Sequence, residues 1–221
     1  MHIEPGFVQP AKVIMANAGA LTIAVWAAKE QLKDWARASW SIVKTLCAAS
    51  FFSLFMESFA MPVGPSELHF VGAMAIYLTL GFLPTLMGFA IGLLFQGLMF
   101  SPWDLPHLGV NSLSLILPLV AMHYVAGRKL FDGNIKKRLD WTGILKLDAM
   151  YYSGVTGMVG FWLWFGGAET AFSSWLTFAA SYLVVVAVEP LITWTVVKGL
   201  KKAGSSYLVR KLFVVGKLQL A

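Results

Sequence analysis

The sequence predicts an all-α integral membrane protein, a polytopic bundle of about seven transmembrane helices. Apolar residues make up 58% of the chain and charged residues only 13%, and the mean hydropathy is +0.71. Seven apolar stretches approach the roughly 20 residues that a helix needs to cross the hydrocarbon core of a bilayer. They lie at residues 12–28, 42–61, 68–83, 84–100, 111–127, 149–168 and 171–197. Gly81-Phe82-Leu83-Pro84 separates the third stretch from the fourth, so a broken hairpin with six spans in total remains the alternative.

Basic residues indicate how the bundle is oriented. Sixteen of the 17 Lys and Arg residues lie in three segments, at residues 29–44, 128–146 and 198–217, and only Lys12 lies elsewhere. The opposite loops carry acidic residues and no Lys or Arg; they are 1–11, 62–67, 101–110 and 169–170. Because Lys and Arg accumulate in cytoplasmic loops, this pattern predicts that the amino terminus is outside and the carboxyl terminus is cytoplasmic. An odd number of spans satisfies the pattern, and an even number does not.

The whole chain, residues 1–221, is predicted to form one integral membrane domain. It comprises an outer amino-terminal segment at 1–11, the helical bundle, and a basic cytoplasmic tail at 198–221. The net charge of +6 then reflects attraction to the anionic inner leaflet, so the predicted partner of the basic residues is the lipid bilayer and not nucleic acid. The sequence has no Gly-x-x-x-x-Gly-Lys-Ser/Thr phosphate loop, and we do not expect it to hydrolyse ATP or to be an enzyme.

The first two residues, Met1 and His2, form the most informative motif. A free amino terminus, the peptide nitrogen of residue 2 and the His2 imidazole can close two chelate rings on one divalent transition ion. Amine and imidazole nitrogens suit nickel, copper, cobalt and zinc, and a deprotonated amide nitrogen favours square-planar Ni(II) or Cu(II). Residues 1–12 lack the basic and apolar segments of a cleavable signal peptide, so we expect the mature chain to begin at Met1.

Three other histidines are placed by the predicted topology. His69 follows an outer loop at the start of the third span, where it is either a metal ligand or an exposed or capping residue at a helix start. His107 lies in another outer loop, either hydrogen-bonded locally or available as a spare ligand. His123, near the inner end of the fifth span, is predicted to be a packing residue.

Four further polar residues lie at helix ends or inside predicted spans. Gln96 and Asn111, at outer helix ends, could hydrogen-bond the ligand imidazoles, and helix capping is the alternative for Asn111. Glu57 and Glu189 lie inside spans, where an ionisable side chain is costly and commonly faces a cavity or a partner. These two carboxylates are candidates for carrying protons or orienting a ligand shell, unless Lys44 or a helix terminus neutralises them.

Several stretches of the sequence, taken together, resemble a known family. They are Met1-His2-Ile3 with Gly6-Phe7, the Pro-Gly loop that leads to His69, Gln96-Gly97-Leu98-Met99-Phe100, Gly109-Val110-Asn111 and Glu189-Pro190-Leu191-Ile192-Thr193. In this order, over residues 1–193, they are similar to the substrate-specificity subunits of cobalt and nickel energy-coupling-factor transporters, the CbiM/NikM type.

The resemblance implies a function, a metal site and a set of partners. Such a subunit captures Ni²⁺ or Co²⁺ outside the cell through the amine of Met1, the amide and imidazole of His2, and the imidazole of His69. It passes the ion inward together with a transmembrane coupling subunit and cytoplasmic ATPase subunits, and a small accessory membrane subunit is a further candidate partner. The implied location is the bacterial inner membrane, and the metal is the transported ion and not a cofactor.

Two other functions fit parts of the sequence. A specificity subunit for a small molecule of the vitamin type would have the same fold class and would begin with Met1-His2 by coincidence; metal analysis of the purified protein separates the two. A membrane redox protein that binds haem needs two histidines at matching depth, whereas His69 and His123 are predicted at opposite ends of the bundle. Residue types alone do not distinguish nickel from cobalt.

Overall fold

The computed structural model describes residues 3, 5–33, 35–64, 66–132, 138–167 and 172–220, leaving out the side chains of residues 35–37. The helices within these residues are α1 (Pro10–Leu32), α2 (Trp35–Ser58), α3 (Ala73–Leu80), α4 (Phe82–Met99), α5 (Leu108–Met122), α6 (Trp141–Phe165), α7 (Phe172–Lys202) and α8 (Tyr207–Leu212). The strands are β1 (Ala60–Val63), β2 (Ser66–His69), β3 (Arg138–Leu139) and β4 (Gln219–Leu220). A 3₁₀ helix at Pro102–His107 leads into α5, a π-helical turn at His123–Gly127 and a 3₁₀ turn at Arg128–Leu130 extend α5, and a last 3₁₀ turn occupies Val215–Lys217.

The helices form one bundle with an apolar core and an apolar outer surface. α4 packs against α2, α5 lies between α1 and α6, and α6 packs against α7. The buried side chains are mainly aliphatic and aromatic, and α1, α2 and α7 also expose leucine, isoleucine, valine and phenylalanine on their outer faces. Helices that are hydrophobic all round are typical of proteins surrounded by lipid.

Among the described residues, five helical segments are long and apolar enough to cross a membrane. They are Pro10–Leu32, Ala38–Ser58, Phe82–Met99, Pro102–Leu130 and Phe172–Lys202. α6 has sufficient length, 25 residues, but Asp148 and several tyrosine, tryptophan and glycine residues lower its hydropathy. Together with α3, these helices occur in the order of the seven predicted apolar stretches, which confirms an all-α protein with several membrane-spanning helices.

The third predicted stretch, residues 68–83, is not a continuous helix. Its first two residues belong to β2, residues 70–72 have no regular structure, and α3 has only eight residues. Eight helical residues measure about 12 Å, well short of a hydrocarbon core of about 30 Å. Every residue of α3 is buried by the surrounding helices, and irregular backbone at membrane depth is tolerated where protein surrounds it. Gly81, with a φ of 94°, then separates α3 from α4 at the predicted break.

The two ends of the bundle carry different segments. At one end, which we call the hairpin end, Ile3 pairs with Ser66 beside the β1–β2 hairpin. At the other, the basic end, the carboxyl-terminal tail returns to the bundle, and the Val214 N–H donates to the Thr79 carbonyl oxygen at 2.7 Å. Basic residues from α2, α7, α8 and the tail line one cavity there. Predicted basic segments that are far apart in sequence therefore meet at the same end of the bundle.

Two glycines determine how closely α2 and α4 pack. A Cβ atom on Gly88 would lie 2.5 Å from the Cβ of Ala48, and a Cβ atom on Gly92 would lie 2.4 Å from the ring of Phe52. Small residues four positions apart on one helix face allow two helix backbones to approach. The Gly88-x-x-x-Gly92 sequence is therefore a packing motif of the bundle.

We expect the Gly88→Ala substitution to destabilise the protein, because the added methyl group overlaps Ala48 and the neighbouring backbone of α2. Over-packing of this kind costs roughly 1–3 kcal/mol, which thermal unfolding in detergent would report as a lower midpoint. Gly157→Ala in α6 is the matched control, since no heavy atom lies within 4 Å of its Cβ position. Equal unfolding midpoints for the two variants would contradict the close approach of α2 and α4.

Candidate metal centre

The amino-terminal segment is built into the hairpin end of the bundle from residue 3 onward. The Ile3 N–H donates to Asn111 Oδ1 at 3.0 Å, and Ile3 forms an isolated antiparallel bridge with Ser66 in β2. The Ile3 side chain is fully buried in the apolar core. Burial of a whole isoleucine side chain contributes about 1.5–3 kcal/mol, so Ile3 is a firm anchor for the start of the chain.

A second group of contacts holds the chain between Ile3 and α1. Val8 pairs with Gly167 in another isolated bridge. The Gln9 N–H donates to the Gly166 carbonyl oxygen at 2.9 Å. The start of the chain is therefore attached both to β2 and to the segment that follows α6.

His69 is presented by the β1–β2 hairpin. The register pairs Ala60 with His69 and Val63 with Ser66, so two residues connect the strands. The first of them, Gly64, has a φ of 62°, which short hairpin turns require. His69 is only 4% exposed, and β2 packs on α2 and α7. The prediction that His69 begins a helix is wrong, because His69 ends a strand and α3 begins four residues later.

Both ring nitrogens of His69 face oxygen atoms. Nδ1 lies 3.2 Å from the Met56 carbonyl oxygen, and Nε2 lies 2.9 Å from Glu67 Oε2. A carbonyl oxygen only accepts, so Nδ1 donates the hydrogen in the first contact. The ring orientation is therefore fixed by the backbone of α2, and Nε2, which faces Glu67 Oε2, is the candidate metal-binding nitrogen. A hydrogen bond from the second ring nitrogen to a carbonyl group is usual for histidines that bind metals.

α7 supports the segment that joins His69 to α3. The Tyr182 hydroxyl faces the backbone of His69. Glu189 Oε1 accepts the Met74 N–H at 2.9 Å, and the Gly72 N–H faces the same carboxylate. The first N–H groups of a helix have no partner within the helix, and Gly72 has no side chain with which to cap them. Glu189 supplies this cap from another helix.

α6 in turn holds Glu189. The Tyr152 hydroxyl donates to Glu189 Oε2, and the Asp148 carboxyl group faces that of Glu189. Both carboxyl groups are fully buried, and no N–H or hydroxyl group of a described residue donates to either Asp148 oxygen. Two adjacent carboxylates repel each other unless they share a proton. The predicted intramembrane carboxylate is thus one member of a buried cluster of acidic and tyrosine side chains.

Sequence reasoning missed the other members of this cluster. Asp148 stands one residue before the predicted span at 149–168, so the hydropathy pattern places it outside the membrane-spanning segments. The four-residue spacing of Asp148 and Tyr152 places both on one helix face. A sequence that also contains an intramembrane glutamate, Glu189, could have indicated from this spacing that the two side chains face that glutamate.

The candidate amides do not bind an imidazole among the described residues. Asn111 accepts the Ile3 N–H, so it holds the segment next to the predicted chelate and does not cap a helix. Gln96 Nε2 donates to Glu57 Oε1 at 2.7 Å. Lys44 does not pair with Glu57, because it lies 13 positions earlier, which is about 20 Å along α2.

The other two histidines have different surroundings. His107 is buried where the 3₁₀ helix meets α5, and neither of its ring nitrogens has a hydrogen-bond partner among the described residues. The prediction that His107 hydrogen-bonds locally is therefore wrong, and both ring nitrogens remain able to meet a ligand. His123 Nδ1 lies 2.8 Å from the Tyr77 hydroxyl, and its ring stacks on Phe82 with centroids 3.8 Å apart. His123 is the packing residue that the sequence predicted.

Met1 and His2, the first two predicted ligands, lie outside the described residues, as do Glu4 and Glu169 of the predicted outer loops. Within the described part of the chain, no group of three or more His, Cys, Asp or Glu side chains is arranged to hold a metal ion. The described part of the candidate centre consists of the predicted ligand histidine, the two oxygen atoms that its ring faces, and an anchor for the amino terminus. These residues are His69, Met56, Glu67, Ile3, Ser66 and Asn111.

Comparison with known proteins identifies a family of metal uptake proteins and a solved structure with a similar fold. The model of the family described as CbiM, the cobalt uptake substrate-specific transmembrane region, matches residues 2–207. The chain is also similar to a crystal structure of a transition metal transporter, with a TM-score of 0.72 and 21% sequence identity. That similarity covers 96% of this chain and 97% of the other. Curated protein sequences give no significant match.

The family match extends from residue 2 almost to the end of the bundle, and the N-terminal segment that begins at Ile3, the hairpin and helices α1 to α7 fall within it. It agrees with the apolar, multi-helix architecture described above. The protein is a multi-pass membrane transport component and not an enzyme. The chain belongs to the CbiM family, the cobalt uptake substrate-specific transmembrane region.

Proposed function

We propose that this protein captures Ni²⁺ or Co²⁺ with the Met1-His2 chelate and His69, and delivers the ion inward as the specificity subunit of an energy-coupling-factor transporter. The observation that carries the proposal is the pairing of Ile3 with β2. It connects the residue immediately after the predicted chelate to the strand that ends at His69. Membership of a cobalt uptake family supports metal uptake as the activity.

The direction of the chain favours a shared site. Because the bridge between Ile3 and Ser66 is antiparallel, the amino-terminal side of Ile3 points along β2 towards His69. Ser66 and His69 are three positions apart in the strand, which corresponds to about 10 Å. Each residue before Ile3 adds up to about 3.3–3.6 Å of reach. Two residues and an imidazole side chain are therefore long enough to meet the His69 ring.

The donor set accounts for the choice of metal. The Met1 amine, the His2 amide and imidazole, and His69 Nε2 are four nitrogen donors. A deprotonated amide favours a square plane, which suits Ni(II), whereas Zn²⁺ prefers a tetrahedral site. Affinity alone would favour Cu²⁺ over Ni²⁺ and Co²⁺, so copper has to be excluded by geometry, by its availability or by its redox form.

Metal binding at this site displaces protons. His69 Nε2 lies 2.9 Å from Glu67 Oε2. Nδ1 already holds a hydrogen, which it donates to the Met56 carbonyl oxygen. A hydrogen on Nε2 as well would make the ring an imidazolium. A metal ion bound at Nε2 replaces that hydrogen. The terminal amine and the amide of residue 2 must also lose protons before they can bind a metal ion.

In the proposed arrangement the hairpin end faces outwards and the basic end faces the cytoplasm, as the positive-inside rule requires. Residues 70–72 and α3 then form the third of the seven proposed crossing segments, and the other helices enclose it. A transmembrane coupling subunit and cytoplasmic ATPase subunits would supply the energy for transport. A small accessory membrane subunit is a further proposed partner, and the proposed setting is the bacterial inner membrane.

We expect His69→Ala to abolish high-affinity binding of Ni²⁺ or Co²⁺, because one of four nitrogen donors is lost. Loss of a supporting residue around a metal ligand commonly costs about 10–100-fold in affinity, so loss of the ligand itself should cost at least about 100-fold. Isothermal titration of purified protein in detergent measures the change. His123→Ala, at the basic end, is the control and should bind as the parent does, while His107→Ala reports whether that ring is a spare ligand. Parent-like affinity in His69→Ala would exclude His69 from the site.

An uncleaved amino-terminal extension should remove metal binding without unfolding the protein. The extension converts the Met1 amine into an amide, and the two chelate rings then cannot form. Protein with the same extension at the carboxyl terminus serves as the control and should bind one equivalent of metal. Full binding by the amino-terminally extended protein, measured by metal analysis after gel filtration, would rule out the terminal chelate.

Metal affinity should fall steeply as the solution becomes acidic, because metal and protons compete for the same nitrogen atoms. Ordinary pKa values are about 7.7–8.0 for an α-amine and about 6.5 for imidazole, so all of these donors are mainly protonated below about pH 6. We expect more than about tenfold loss of affinity per pH unit between about pH 6.5 and 5.5, accompanied by proton release that calorimetry in two buffers can count. Affinity that does not change with pH would point instead to carboxylates such as Glu4, Glu67 or Asp104.

A further inference from the structure

The carboxyl-terminal tail forms part of the basic end of the bundle. The Val214 N–H donates to the Thr79 carbonyl oxygen at 2.7 Å, and the Val215 and Leu218 side chains are buried. β4 pairs with β3 immediately afterwards. Lys217, between these buried residues, is therefore held at a defined position and does not belong to a free tail.

Four cationic side chains surround one cavity at this end. The cavity has a volume of about 360 Å³ and is lined by Lys44 from α2, Lys201 from α7, Arg210 from α8 and Lys217 from the tail. Among the described residues, no carboxylate lines it and none of the four cations forms an ion pair. Lys217 is close enough to Lys44 to repel its charge. A fold that gathers four like charges needs a counter-ion to offset their repulsion.

A larger groove continues from this cavity and is amphipathic. Its volume is about 640 Å³, and it shares Lys44, Arg210 and Lys217 with the first cavity. Its remaining surface includes Trp40 of α2 and the apolar residues 80–84 at the break between α3 and α4. Tryptophan is common where a protein meets the interface of a bilayer. An acidic residue, Glu30, also lines the groove, but its carboxylate already pairs with Lys33 at 2.6 Å.

We propose that Lys44, Lys201, Arg210 and Lys217 bind the phosphate group of an anionic phospholipid, whose glycerol and upper acyl region lie in the adjoining apolar groove. Basic pockets between membrane helices are suited to anionic headgroups. A free phosphate ion also carries negative charge to the four cations, but it has no apolar part that could contact the apolar residues of the groove. Lipid bound here would tie α2, the α3–α4 break, α8 and the tail together. The site is at the opposite end of the bundle from His69 and does not depend on the proposed metal site.

The test is direct binding of short-chain phosphatidylglycerol to the purified full-length protein in a neutral detergent, measured by native mass spectrometry and by thermophoresis. Phosphatidylcholine and inorganic phosphate are the comparison probes. We expect phosphatidylglycerol to bind at least about tenfold more tightly than either, with affinity that decreases as salt increases. Equal binding of the two lipids would overturn the proposal. Inorganic phosphate that binds as tightly as phosphatidylglycerol would overturn the lipid as the ligand.

Charge-matched variants show whether these cations are responsible. Lys44→Gln/Lys217→Gln should weaken phosphatidylglycerol binding by about tenfold or more. Lys129→Gln/Lys202→Gln removes the same charge from exposed positions outside the cavity and should change binding less than about twofold. Equal losses in the two double variants would overturn the assignment of the site. The single variant Lys217→Gln changes an exposed side chain and replaces the first double variant if that protein does not fold. It should still weaken phosphatidylglycerol binding more than Lys202→Gln does.

Discussion

The hydrogen bond from the Ile3 N–H to the Asn111 carboxamide is the contact on which the proposed metal site depends. It joins residues 108 positions apart in sequence, and the complete burial of the Ile3 side chain reinforces it. A chelate made from a chain terminus is effective only where the terminus is held, because ordering a free end costs about 1–2 kcal/mol per residue. Asn111 and Ser66 provide that anchorage at residue 3, beside the strand that carries His69. The proposed ligand, His69, is held in its turn by the backbone of α2 at Met56.

A second constraint acts deeper in the bundle, where the backbone that follows His69 is not helical. Exposed N–H groups at membrane depth are costly unless another protein group accepts their hydrogen bonds. Glu189 accepts those at the start of α3, and Tyr152 and Asp148 surround the carboxylate. The hairpin that carries His69 is thus connected, through one short buried helix, to α6 and α7. An intramembrane acid that could be interpreted as a proton carrier has a structural role in positioning this segment.

Features that depend on local chemistry were predictable from the sequence, and features that depend on distant partners were not. Length and hydropathy identified the long apolar helices of the bundle, because crossing a bilayer requires both. They did not identify β2 within 68–83, because a short apolar run is compatible with a buried strand as well as a helix. Asn111 was predicted to hydrogen-bond an imidazole or to cap a helix, and its actual partner, the Ile3 N–H, was not predicted because no local pattern encodes that contact. Asp148 was missed because its role comes from Glu189 on another helix.

X-ray absorption spectroscopy of the Ni²⁺-loaded, untagged protein tests the central claim most directly, because it reports both the geometry and the donor atoms of the bound ion. The account predicts a square-planar edge and a shell of four nitrogen donors that includes imidazole scattering from His2 and His69. In His69→Ala the imidazole contribution should fall, and an oxygen donor should replace one nitrogen. A six-coordinate shell rich in oxygen in the parent protein would contradict the account, and carboxylates such as Glu67 would then be the ligands to examine.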